Sequence, residues 1–140
     1  MSWNIGGRRL FLVFAILAVL VAVLGIFLPD IRDQLVFKPR RDRAQAVVSA
    51  LASQQTALRR KQGHYVTFTP PQAVARLRAM GIADIPTEDY LFDASLMADK
   101  SLRLRALPRP TSVRDLRISP RMYVAQLAPS GGVSRSGWVP

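Results

Sequence analysis

The apolar positions of this 140-residue chain follow three different periods, beginning with no period at all. From Leu10 to Leu28 they are continuous: LFLVFAILAVLVAVLGIFL contains no polar side chain. At about 1.5 Å per residue a helix of that length spans roughly 28 Å, the thickness of a bilayer's hydrocarbon core. The run predicts a single N-terminal transmembrane helix. It is longer than the h-region of a cleaved signal peptide, and Leu28-Pro29-Asp30 offers no small-x-small cleavage site, so it reads as an uncleaved anchor. Residues 1–9 form an N-terminal tail in which Trp3 can rest among headgroups while Arg8 and Arg9 mark one membrane face. Residues 29–42 are more polar and interrupted by Pro29 and Pro39, which predicts a juxtamembrane connector with Phe37 and Lys38 at the interface.

A helical period follows. Asp42 is placed to N-cap a helix from Arg43 to about Gln62, in which Val47, Leu51, Gln54 and Leu58 make a stripe flanked by Ala44, Val48, Ala50 and Ala57. Arg59, Arg60 and Lys61 oppose the negative end of the helix dipole, and Gly63 is the stop. A shorter helix is written by Thr69 as N-cap, Pro70 at the first position, Val74, Leu77 and Met80 on one face, and Gly81 as terminator.

After Ile85-Pro86-Thr87-Glu88-Asp89 the period becomes two. Tyr90 to Met97 and the alternating Leu102, Arg103, Leu104, Arg105, Ala106 predict a hairpin with one wet face. Val113 to Ile118 and Met122 to Leu127 predict a second pair, and residues 129–140 read as a polar, Gly-containing tail. The soluble region, residues 43–128, is therefore expected to be α+β: two helices and an antiparallel sheet of about four strands.

Charge changes this picture more than composition does. The chain carries 20 Lys+Arg against 9 Asp+Glu, and 17 of the 20 cations are arginine. Removing Arg8 and Arg9 leaves +9 on residues 29–140. Arginine grips carboxylate and phosphate through two parallel hydrogen bonds, so this surface suits acidic protein partners and anionic lipids. Arg40, Arg41 and Arg43 lie close enough to the span for lipid contact, and Arg103 and Arg105 lie on the wet face of the hairpin. No nucleic-acid-binding motif accompanies the charge, so nucleic acid is not an expected partner.

The order of membrane helix, Ala-rich amphipathic helix ending at Arg59-Arg60-Lys61-Gln62-Gly63-His64-Tyr65, short helix closed by Gly81, and terminal antiparallel sheet resembles the type IV pilin and type II secretion pseudopilin architecture. The resemblance implies a pilin-like fold and a role as a filament subunit. Members of that family start their helix with a prepilin peptidase site and a buried Glu that pairs with the next subunit's amino terminus. Here Gly6-Gly7-Arg8-Arg9-Leu10-Phe11-Leu12-Val13 stands instead, with no acidic residue before Asp30, so neither feature carries over.

Candidate chemistry is sparse. Cysteine is absent and His64 is the single histidine, which excludes disulfides, a catalytic thiol and a zinc site of ordinary composition. His64 follows a helix stop and reads as a corner residue rather than a haem or chlorophyll ligand. Asp84, Glu88, Asp89 and Asp93 match no calcium-loop spacing and read as a solvated turn. No serine has a nucleophile-elbow or phosphate-loop context. The expectation is a non-catalytic, cofactor-free accessory subunit that stabilises a larger membrane complex, with photosynthetic and respiratory assemblies as host classes. A pilin or pseudopilin subunit is the alternative. The expected site is the inner membrane of a bacterium with the C-terminal domain in the periplasm, because a domain of about 110 residues is translocated largely regardless of its charge.

Overall fold

The computed structural model describes residues 3–140, with side chains from Gly6 onward, and divides the chain into two compact units, Met1–Leu35 and Val36–Pro140. The first unit is helical. Its helix α1 (Trp3–Arg32) contains the whole Leu10–Leu28 run, and none of those side chains is buried. Helical backbone then continues as a π-helical turn, Asp33–Phe37, and as α2 (Lys38–Gln62).

The proline-broken connector expected over residues 29–42 is thus helical. Pro29 lies inside α1 without ending it. Pro39 occupies the first turn of α2, where a missing N–H costs little, and the π-helical turn directly before it relieves the clash between a proline ring and the carbonyl four residues back. Asp42 consequently sits within α2 rather than capping it, and accepts a 3.1 Å bond from Lys38 one turn earlier.

The second unit is α+β. Helix α2 buries Ala44, Val47, Val48, Leu51, Ala52 and Gln55. The buried face is rotated relative to the expected stripe: Gln54 is exposed, Leu58 is half-buried, and Gln55 is fully buried. Gly63 ends α2 at φ +80°, donating its N–H to the Arg59 carbonyl at 2.9 Å, as the sequence predicts. A 3₁₀ turn (Pro70–Gln72) leads into α3 (Ala73–Ala79), which places Leu77 in the core and is followed by Gly81 at φ +81°.

Four strands form one antiparallel sheet in chain order: β1 (Tyr90–Leu96), β2 (Leu102–Pro108), β3 (Met122–Leu127) and β4 (Val133–Val139). The expected strand over Val113–Ile118 is instead a short helix, α4 (Pro110–Arg114), followed by a turn in which Leu116 takes φ +56°. Pro110 presets the first helical φ, and the buried Ser112 hydroxyl donates to the Glu88 carbonyl at 3.1 Å. The fourth strand comes from the segment read as a tail. It is an edge strand paired only to β3, so one row of partners suffices for its backbone, and Gly131 and Gly132 at φ +102° and +86° make the turn that returns it.

Strand register separates two faces. Phe92, Leu104, Ala106, Tyr123, Ala125 and Leu127 point toward α2 and are buried. Trp138 joins them, with its ring centroid 5.3 Å from Tyr123 and 6.2 Å from Tyr90, and donates Nε1–H to Gln45 at 3.2 Å.

Candidate functional site

The exposed surface of α1 is the first candidate element. Large apolar side chains along it are exposed throughout, from 74% at Phe11 to 43% at Val23. It is the one helix among the described residues that is long and apolar enough to cross a membrane. Arg8 and Arg9 stand exposed on α1, and the Trp3 side chain lies outside the described residues. Phe37 closes the π-helical turn half-buried, and Lys38 is exposed beside Asp42.

The arginines expected at partners and lipids divide into two groups once the chain folds. Arg40 donates to the Asp89 carboxylate at 2.9 Å, and Arg117 approaches the other oxygen of Asp89 at 3.1 Å. Asp89 is only 2% exposed, so this is a carboxylate held out of water between two guanidinium groups. Arg43 reaches Asp84 at 2.8 Å and Glu88 at 3.4 Å. Its pKa is raised chiefly by the hydrogen bond it donates to Asp84. Arg105 grips Asp93 through Nε and Nη2 across the β1–β2 pair, and the hydrogen bond to Asp93 raises its pKa in the same way. Every carboxylate of the Asp84–Asp93 cluster is therefore matched to an arginine. Arg40, Arg43 and Arg105 are thus each ion-paired within the fold, Arg43 at an exposed position. Arg41 is half-buried and engaged in an interaction of its own.

Arg103 differs. It lies on the sheet face away from α2, paired across strands with Ser95 and Gln126, and no carboxylate among the described residues is within ion-pair distance of it. The same holds for Arg135 on β4, which faces Gln126. The sequence reading missed Arg135 because it assigned residues 129–140 to a tail; VSRSGWV carries no clear two-residue period that would have marked a strand.

Local anchors fix these strands. Tyr65 donates its hydroxyl to the Ala128 carbonyl, and Arg59 Nε donates to the Pro129 carbonyl at 3.1 Å, tying the end of α2 to the β3–β4 turn. Burial raises the Tyr65 pKa. Tyr90 is pushed up to about 12, chiefly by burial and further by the Asp89 charge. Asp99 is lowered by hydrogen bonds from the Ser101 hydroxyl and N–H. A cleft of about 460 Å³ separates α2 from β4, with Ser49, Ser53, Thr56 and Ser136 among its walls. His64 is exposed beside the Gln62 carbonyl at 3.1 Å. Among the described residues, no group of three or more His, Asp or Glu side chains is placed to hold a metal ion.

These features define a class by architecture: one helix able to span a bilayer, followed by a small basic α+β domain in a pilin-like layout. Comparison with protein-family models, with curated proteins and with solved structures found no match.

Proposed function

We propose that the protein is a non-catalytic, single-span accessory subunit that stabilises a larger membrane protein complex, its helix packing in the bilayer and its basic domain meeting acidic surfaces of neighbouring subunits. The observation that carries this reading is the apolar length of α1, whose large side chains are exposed from Leu10 to Leu28. A bilayer supplies that partner. The domain it carries has a net positive charge and an arginine-bearing sheet face, which favours anionic partners, including lipid headgroups near Lys38. The proposed location is the inner membrane of a bacterium, with the domain in the periplasm.

The pilin-like layout favours a second reading, a pilin or pseudopilin subunit of a filament. In that case identical copies would pack helix against helix, without the buried Glu that ordinarily registers such copies.

One purification separates the two. Membranes washed with alkaline carbonate should retain the protein. Gentle detergent extraction should then return it with a constant set of other proteins, in a fixed ratio. Homopolymers released by shearing would support the filament instead, and recovery as a soluble or solitary species would overturn both. The absence of native cysteine makes orientation directly readable. A Ser134→Cys variant labelled by an impermeant maleimide in intact spheroplasts places the domain outside; protection until lysis places it inside.

A further inference from the structure

The face of the sheet turned away from α2 is graded across its strands. At one end the register aligns Leu91 with Leu107, and Met122 with Val139, all half-buried. At the other end Ser95, Arg103, Gln126 and Arg135 lie in one row that crosses all four strands. Between the rows run Asp93, Arg105, Val124 and Gly137, where Asp93 and Arg105 neutralise each other. The unneutralised charge on this face is thus concentrated in Arg103 and Arg135, two strands and roughly 10 Å apart.

Gly137 is the second observation. Its φ is not in the left-handed region, and a Cβ built there would meet nothing within 4 Å. Neither the backbone nor the packing of the folded chain requires glycine at this point. Its missing side chain instead leaves a depression of about 380 Å³, bounded by Val124, Gln126, Arg135 and Val139. Glycine within a strand loses packing and propensity, and often marks a place where another chain approaches closely. The two sheet edges are also treated differently. Phe68 exchanges two backbone hydrogen bonds with Ala94 at the β1 edge, whereas β4 pairs only with β3.

We propose that this open face, over β3 and β4, docks an acidic and partly apolar segment of a neighbouring protein. Carboxylates of that segment pair with Arg103 and Arg135, and an apolar side chain enters the depression at Gly137. The proposal rests on the accessory-subunit reading and names the surface through which the domain engages its host. Charge complementarity selects the occupant. A second copy would bring Arg103 and Arg135 against their own kind in a domain already at +9, while an acidic segment satisfies both arginines and covers the apolar row.

The test uses the full chain in its native membrane, with a photo-cross-linking amino acid at position 124. The expected product is a covalent adduct to one peptide that contains two or more carboxylates. The Arg103→Glu/Arg135→Glu variant should lower adduct yield at least about tenfold, the equivalent of one good charge pair. Placing lysine at the cross-linked carboxylates should restore it. Gly137→Val offers a variant with no folding penalty from crowding, since its Cβ has open space, and should lower yield comparably by filling the depression. Arg76→Glu/Arg78→Glu, on α3, should leave yield unchanged. Adducts to lipid, to a second copy, or to a peptide without carboxylates would overturn the proposal, as would undiminished yield in the charge-reversed variant. Those failures remain distinct from failure of the accessory-subunit reading, because the unmodified chain would still co-purify with its host.

Discussion

Replacing Gln55 with methionine probes which face of α2 the fold buries. Gln55 is fully buried and uses both ends of its amide on a single residue: Nε2 donates to the Val66 carbonyl at 2.6 Å, and Oε1 accepts the Val66 N–H at 2.9 Å. That pair fastens the extended segment after Gly63 to the helix, eleven residues away. Gln55→Met keeps the volume and the helix propensity but removes both bonds. Each hydrogen bond contributes about 1 kcal/mol net, and each backbone group left dry costs about 1–3 kcal/mol. Val66 is half-buried, so water recovers part of that cost, and the expected loss is about 2–4 kcal/mol. The assay is urea unfolding of the full chain in detergent micelles, followed by Trp138 fluorescence in a Trp3→Phe background. Trp138 reports on the core because it packs on Tyr90 and Tyr123. Gln54→Met is the control, being one position along the same helix and exposed, and should change stability by less than about 0.5 kcal/mol. Equal stability of the two variants, or a larger loss at Gln54, would refute the helix face described here.

Other consequences follow from the same contacts. Asp89→Ala strands Arg40 and Arg117 and should cost about 2–3 kcal/mol, between a surface and a buried pair, because Asp89 is buried while the arginines are 33% and 46% exposed. Asp84→Asn breaks a pair exposed on both sides and should cost under about 1 kcal/mol in the same unfolding assay. Tyr90 titrates near 12, above its ordinary 10.0, so the fold favours the neutral phenol. Its stabilising contribution is therefore intact below pH 10 and lost as pH rises toward 12, by about 2–3 kcal/mol in all. Stability measured across that window should fall in the wild type and fall less in Tyr90→Phe. Because the Tyr90 hydroxyl has no hydrogen-bond partner among the described residues, that variant should be at least as stable at neutral pH, as thermal melting would show. Gly63→Ala places a Cβ at φ +80° and should lower stability by about 1–2 kcal/mol, measured by the same melting experiment.

The parts of this protein that could be read directly from sequence are those whose cause is local. An unbroken apolar run specifies a membrane-length helix without reference to the rest of the chain, and Gly63 and Gly81 stop their helices because their own backbones enter the left-handed region. The β1–β2 hairpin was legible for the same reason, since strict alternation at Leu102, Leu104 and Ala106 marks one buried face. Tertiary structure decided what depends on distant partners. Gln55 replaces Gln54 on the buried face because Val66 waits there for both of its amide groups. Residues 133–139 become a strand because β3 offers an edge and Tyr123 and Tyr90 receive Trp138, although their own composition is polar. The arginines look alike in sequence, and they are divided between ion-paired and open positions by carboxylates 12 to 49 residues away. Periodicity is a property of neighbours along the chain and survives without a fold, whereas pairing of charges and strand edges is a property of space and exists only once the chain has closed on itself.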